Sequence, residues 1–130
     1  MKTKNFLVSG LVGGIADFLL GWLLYGIIFK DTFPPMEEHS TTMIMIFLGC
    51  ITFGLFIAYI FTKWAQISTA ATGAKAGAVI GLFVGLFYHF FDMAGDANAS
   101  MQLAALDVVI GIVMAAIVGA IIGAVNGKLG

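Results

Sequence analysis

The feature of this sequence that most limits its fold is the stretch at residues 9–29, SGLVGGIADFLLGWLLYGIIF, whose only charged residue is Asp17. About 20 apolar residues in a helix, at 1.5 Å per residue, cross the ~30 Å hydrocarbon core of a bilayer. Three further apolar stretches follow along the chain. The sequence therefore predicts a protein whose main solvent is lipid.

Composition supports this conclusion. The chain has 130 residues, of which 61% are hydrophobic and only 10% are charged, whereas soluble domains carry about 25% charged residues. The net charge is −1 and every basic residue is a lysine, so we expect no nucleic-acid partner. Cys50 is the only cysteine, which excludes an intrachain disulfide.

The predicted fold class is all-α, a bundle of four transmembrane helices in a single domain covering residues 1–130. The predicted spans are about 6–29, 43–61, 74–91 and 103–125. None alternates apolar and polar residues as a β-barrel wall does. Pro34 and Pro35 are expected to stop helices in the first connection, and Ser100, or alternatively Asn98, is expected to cap the fourth helix.

The lysines predict the orientation in the membrane. An even number of spans puts both termini on one side, and that side carries five of the six basic residues: Lys2, Lys4, Lys63, Lys75 and Lys128. Short basic segments favour the cytoplasm. We therefore expect cytoplasmic termini in a multi-pass protein of the inner (cytoplasmic) membrane. Apart from Asp17, the acidic residues fall at or near the outer face.

Small residues recur every fourth position in the third and fourth spans, and such rows allow helices to pack closely in lipid. The residues expected to serve helix packing are Gly77, Gly81, Gly85, Gly111, Gly119 and Gly123. The two rows could pack against each other, or one could pack against a second copy of the chain in a homodimer. The sequence leaves both arrangements open.

If the two rows face each other, antiparallel helices bring His89 close to Asp107 near the outer face, and Asp92 shares a helix face with His89. A His–carboxylate cluster can relay protons or hold a cation. The simpler interpretation, which we favour at this stage, is that polar groups at helix ends reach the water of the headgroup layer.

Asp17 shares its helix face with several glycines, whereas bulky apolar side chains cover the other directions. It is therefore expected to face protein and to be uncharged at neutral pH, because a charge at mid-helix costs roughly 2.5–3.5 kcal/mol. Candidate hydrogen-bond partners are Cys50, Thr52, Tyr25 and Tyr59. A functional carboxylate and a carboxyl that only fixes helix register remain equal alternatives.

Other motifs are weak. No nucleophile–base arrangement, phosphate loop or metal-ligand spacing stands out, so we expect no enzyme, no catalytic residues, no cofactor and no metal site. Trp22, Tyr25, Trp64 and Tyr88 lie near span ends and are typical of interfacial anchors.

The segment GGIADFLLGWLLYGIIFKDTFPP, together with four spans in 130 residues, resembles a family of small bacterial four-helix integral membrane proteins, a domain of unknown function. The resemblance implies the four-helix fold and no catalytic residue. Two functions follow as hypotheses. The first is a structural or accessory membrane protein, and the alternative is a homo-oligomeric channel or proton-coupled transporter using Asp17, with His89 and Asp107 at its outer mouth.

Overall fold

The computed structural model describes residues 2–33 and 38–130. These residues form four helices, each long and apolar enough to cross a membrane, which confirms the predicted fold class. Pro34 and Pro35 lie outside the described residues. The helices are α1 (Thr3–Leu23, continued by a π-helical turn at Leu24–Ile28), α2 (Thr42–Tyr59, continued by a π-helical turn at Ile60–Trp64), α3 (Ala70–Gly95) and α4 (Met101–Leu129).

All four helices begin before the predicted spans, and all but the first also end after them. Capping side chains set two of the starts. Thr69 caps α3 by accepting a hydrogen bond from the Thr72 backbone N–H at 3.2 Å. Ser100 caps α4 by accepting from the Leu103 N–H at 3.2 Å, as predicted. Side-chain oxygens at these positions satisfy N–H groups that a helix start leaves unpaired.

Successive helices run antiparallel, so the bundle has two distinct ends. We call the end with both termini and the 65–69 connection the terminal end, where Lys63 Nζ lies 3.4 Å from Thr3 Oγ1. The loop end carries the 29–41 and 96–100 connections. Which end faces the cytoplasm stays a prediction from the lysines.

The helices pack in the order α2–α1–α4–α3, with the most extensive contacts inside the α1–α2 and α3–α4 hairpins. Contact between α1 and α4 joins the two hairpins. A core of apolar side chains fills the terminal half of the bundle and includes Ile57, Phe61, Val118 and Ile122, each fully buried. The loop half is less filled, and this leaves room for the site described below.

Glycine allows α3 and α4 to pack backbone against backbone. A Cβ placed on Gly77 would overlap the Ala115 carbonyl oxygen, and one on Gly119 would overlap the Gly73 carbonyl oxygen. A Cβ on Gly81 would lie 2.7 Å from that of Ala115. The sequence left open whether the two glycine rows pack against each other or against a second copy of the chain. In the structure, the rows of α3 and α4 pack against each other.

Two glycines of the predicted packing set behave differently. A Cβ on Gly85 would meet Val108 at 3.4 Å, an ordinary contact, and one on Gly111 would meet nothing within 4 Å. Gly111 nevertheless belongs to the packed surface through its backbone, because its carbonyl oxygen would lie 3.0 Å from a Cβ on Gly81. Because a four-residue repeat drifts about 40° per step around a helix of 3.6 residues per turn, the row turns out of the interface at this end.

A second close crossing joins α1 to α2, and the sequence analysis did not assign it. Gly54 lies directly over the backbone of Gly10 and Gly14, and a Cβ on Gly14 would lie 2.7 Å from the Ile51 α-carbon. Both hairpins are thus held by backbone contact at glycine, which is the usual means of helix association where lipid removes the hydrophobic drive.

These contacts predict that Gly77→Ala destabilises the protein by about 1–3 kcal/mol, the usual cost of overpacking, because the methyl group must displace the Ala115 backbone. Gly49→Ala is the matched control, since Gly49 is exposed on α2 and a Cβ there meets nothing within 4 Å. The measurement is thermal unfolding in detergent followed by circular dichroism. Equal midpoints for the two variants would contradict the packing described here.

Candidate functional site

The buried face of α1 is polar, which is the reverse of a soluble helix. Its exposed positions include apolar residues such as Leu11 and Leu19, which are 46% and 56% exposed. Its buried residues are Asn5, Ser9, Gly10, Gly13, Gly14 and Asp17. In lipid this distribution is expected, because polar groups avoid hydrocarbon by facing other helices.

Asp17 is only 8% exposed and faces protein, as predicted. Its neighbour is Cys50 on α2, whose thiol is placed to donate a hydrogen bond to the Asp17 carboxyl. The two helices are close enough for this contact because Gly14 has no side chain. A Cβ on Gly14 would lie 3.1 Å from the Cys50 carbonyl oxygen. Cys50 is thus one of the proposed partners that the structure brings to Asp17.

Two other proposed partners lie elsewhere. Thr52 is exposed, and its hydroxyl donates to the Leu48 carbonyl of its own helix at 2.7 Å. Residues two apart point about 200° away from each other on a helix, so Cys50 and Thr52 cannot both face Asp17. Tyr59 packs edge-on against Phe6, with 5.6 Å between ring centroids.

A cavity of about 280 Å³ connects Asp17 with the loop half of the bundle. All four helices line it, including Phe53 of α2, Gly81 of α3, and Gly111 and Met114 of α4. The absence of a side chain at Gly111 thus widens the cavity. Its walls are mostly apolar, and its polar groups are concentrated at Asp17 and at the opposite end.

That opposite end is a cluster of Tyr25, His89 and Asp107, which we call the loop-end cluster. His89 Nε2 lies 2.6 Å from Asp107 Oδ2, and the Tyr25 hydroxyl donates to the other carboxylate oxygen, Oδ1. Both oxygens of Asp107 therefore have a partner. The structure brings His89 to Asp107, as the glycine rows predicted, whereas Asp92 is exposed and forms no hydrogen bond with either residue.

Tyr25 in this cluster was missed by the sequence analysis, which treated it as an interfacial anchor or a partner of Asp17. It lies in the π-helical turn that ends the first span, where the Phe29 N–H donates to the Leu24 carbonyl at 2.7 Å. Such turns are frequent at functional sites. The sequence feature that could have indicated this role is the four-residue spacing of Asp17, Gly21 and Tyr25, which puts Tyr25 on the same side of the helix as Asp17.

A second cavity, of about 510 Å³, lies on the loop-end side of the cluster. It shares Tyr25, Tyr88, His89 and Asp107 with the first cavity. The loop-end cluster thus lines both spaces. Asp92 and Asp96 line only the second one, so both the entrance and the interior carry carboxylates.

Comparison of the chain with protein-family models, curated proteins and solved structures finds no match. The resemblance to small bacterial four-helix membrane proteins therefore stays a prediction. Within residues 2–33 and 38–130, no group of three or more His, Cys, Asp or Glu side chains is arranged to hold a metal ion.

The polar groups of Asp17, Cys50 and the loop-end cluster share one chemical property, which is that each can exchange a proton. They are two carboxyls, an imidazole, a phenol and a thiol, and among the described residues that line the two cavities there is no lysine. Tyr25 lies two helical turns from Asp17, a rise of about 12 Å. Proton exchange over that distance requires water, which the cavity volume can hold at about 30 Å³ per molecule.

The cavity predicts that Gly111→Cys, in a Cys50→Ala background, reacts with a charged, water-soluble methanethiosulfonate reagent. A thiol must ionise to react, and only a hydrated cavity permits this. Gly49→Cys is the matched control, because a side chain there also fits freely but lies on the exposed surface of α2, which is expected to face lipid. Mass spectrometry after labelling in liposomes measures both. Failure of the Gly111→Cys variant to react would show that the cavity is not open to water.

Proposed function

We propose that this protein is a multi-pass membrane protein that conducts protons, as a channel or a proton-coupled transporter, with Asp17 as its intramembrane proton-binding group. The observation that carries the proposal is the cavity that joins Asp17 to the loop-end cluster. A carboxyl that only fixed helix register would need one partner and no cavity.

The loop-end cluster is proposed to control access to Asp17. It lies where the two cavities meet, and its three side chains form a continuous hydrogen-bonded chain from α1 through α4 to α3. An imidazole can accept a proton at one nitrogen and release one from the other. A proton from the second cavity can thus pass through His89 and Asp107 to water beside Asp17.

The acidic entrance supports the same proposal. Asp92 and Asp96 give the second cavity negative charge, and a cleft of one sign concentrates the opposite ion. Intramembrane ionisable residues are otherwise rare because they are costly to insert, and they commonly mark proton or ion pathways.

We further propose that the loop end faces outwards and the terminal end faces the cytoplasm in the inner membrane, on the basis of the lysines. Only 17–22% of the most apolar window of each of α1, α2 and α3 is buried within one chain. A second copy of the chain could cover part of this surface, so the proposal includes a homo-oligomer. The rest of the surface is proposed to contact the lipid bilayer.

Asp17→Asn is predicted to reduce proton flux by about 10²-fold, the lower end of what one positioned proton-transfer group contributes. The assay uses purified protein in liposomes that contain a pH-sensitive dye, with a potassium gradient and valinomycin as driving force. Thr52→Val is the control, since it removes a hydroxyl from the exposed side of α2. If Asp17→Asn folds and conducts like the wild type, the structural or accessory hypothesis replaces this proposal.

Asp107→Asn is expected to slow the same flux by about 10-fold or more, because an amide cannot take up a proton and keeps only one of the two acceptor oxygens that Tyr25 and His89 use, and proton transfer through a positioned group typically contributes at least that factor. Asp92→Asn is the control, since Asp92 is exposed outside the cluster. The expected order of rates is wild type, then Asp92→Asn, then Asp107→Asn. If Asp107→Asn conducts protons as fast as Asp92→Asn or faster, the loop-end cluster is not part of the proton pathway.

A further inference from the structure

A second group of buried polar side chains lies at the terminal end, far from the cavity. It consists of Asn5 and Ser9 of α1, Thr62 at the end of α2, and Asn126 of α4, and each is at most 2% exposed. We call it the terminal-end cluster. Asparagine is rarely buried to this extent, and in a membrane helix its burial needs an explanation.

The hydrogen bonds of this cluster are incomplete. Asn126 Nδ2 donates to Thr62 Oγ1 and to the Ile67 carbonyl, both at 3.3 Å, which fixes the turn between α2 and α3. However, Asn126 Oδ1 and Asn5 Nδ2 are buried without a partner among the described residues. One is an acceptor and the other a donor. A buried amide atom left unpaired costs about 1–3 kcal/mol, and a bound water molecule can satisfy both kinds of atom.

The register of α1 against α4 places these two asparagines near each other. Gly13 of α1 meets Ile122 of α4, where a Cβ would lie 2.6 Å from Ile122 Cδ1. One turn nearer the terminal end on each antiparallel helix, Ser9 comes opposite Asn126, and Asn5 follows one turn beyond Ser9. The terminal-end cluster thus continues the α1–α4 interface that holds Asp17.

Polar and small residues recur on α1 at intervals of four residues, in a row that winds about 40° per step around the helix. The row is Asn5, Ser9, Gly13, Asp17, Gly21 and Tyr25. At Gly13, the side chains of Ile122 and Val118 occupy the space that a Cβ would need. Both side chains are fully buried, so they separate Asp17 from the terminal-end cluster.

We infer that the terminal-end cluster binds water and forms the second half of the proton path, closed off from Asp17 in this structure by Ile122 and Val118 at Gly13. The inference rests on the proposed function and extends it. The path then runs from the loop-end cluster past Asp17 and the apolar side chains at Gly13 to the terminal-end cluster, which is itself buried.

The barrier predicts that Ile122→Ala raises proton flux. The expected rise is about 10-fold or more, which corresponds to a barrier lowered by about 1.4 kcal/mol. Ile110→Ala is the matched control, because Ile110 is a buried isoleucine of the same helix, 5% exposed, that lines neither cavity. Both variants lose the same atoms, so a general loosening of the fold would raise the two fluxes equally.

Two further variants test the remaining parts of the inference in the same liposomes. Asn5→Leu in the Ile122→Ala protein is expected to lower the raised flux, because an apolar side chain of similar size cannot bind water. Adding Asp17→Asn is expected to abolish it. Ile122→Val, a milder truncation, should give an intermediate rise and serves if Ile122→Ala does not fold.

The outcomes separate this inference from the proposed function. If wild-type flux depends on Asp17 but Ile122→Ala and Ile122→Val conduct no better than Ile110→Ala, the terminal-end path is wrong and the proposed function stands. A raised flux that survives Asp17→Asn or Asn5→Leu also overturns the inference. If the wild type shows no Asp17-dependent flux and Ile122→Ala shows no rise, both fail.

Discussion

Backbone contact at glycine is the constraint on which the rest of this structure depends. In lipid, apolar side chains gain little by leaving their surroundings for another helix, so association requires close approach and dispersion. Gly54 provides it between α1 and α2, and Gly73, Gly77 and Gly119 provide it between α3 and α4. The result is two tightly packed hairpins, and the polar residues lie where these hairpins meet.

This division explains how the chain tolerates buried polar groups. A carboxyl or amide at bilayer depth must find a partner or water, because hydrocarbon offers neither. Asp107 has two partners and Asp17 has the Cys50 thiol and a cavity. All of these groups lie along or beside the α1–α4 interface. Although these groups come from all four helices, the cavity brings Asp17 and Asp107 to one space, and this is the structural argument for a pathway.

Hydropathy and residue spacing predicted the four-helix fold, the burial of Asp17 and the proximity of His89 to Asp107. They did so because segment length, helix period and antiparallel connection determine those features almost directly. The same reasoning missed Tyr25 as a partner of Asp107 and named Thr52 as a partner of Asp17. Each of these depends on how far a helix is rotated about its axis, which spacing alone does not determine.

Asn5 and Asn126 were not considered at all, because each lies near the end of its span, where a polar residue ordinarily reaches the headgroup layer. In the structure both are buried, and Asn126 is held under the 61–67 turn by its hydrogen bonds to Thr62 and to the Ile67 carbonyl. Their burial is therefore a property of the tertiary structure. The spacing of the α1 row was nonetheless visible, and polar residues at four-residue intervals on an otherwise apolar helix are a usable signal in other membrane sequences.

The kind of contact at each interface also indicates where the protein can change shape. Within the hairpins, the atoms that oppose the glycines include backbone carbonyls and α-carbons, which cannot yield without separating the helices. Between the hairpins, the atoms opposing Gly13 and Gly21 are side-chain ends, namely Ile122 Cδ1 and Met114 Cε. A rotamer change in a side chain is far faster than a movement of packed helices. For the proposed proton path, passage at Gly13 would thus require movement of the Ile122 side chain and not a separation of helices at the glycine contacts within the hairpins.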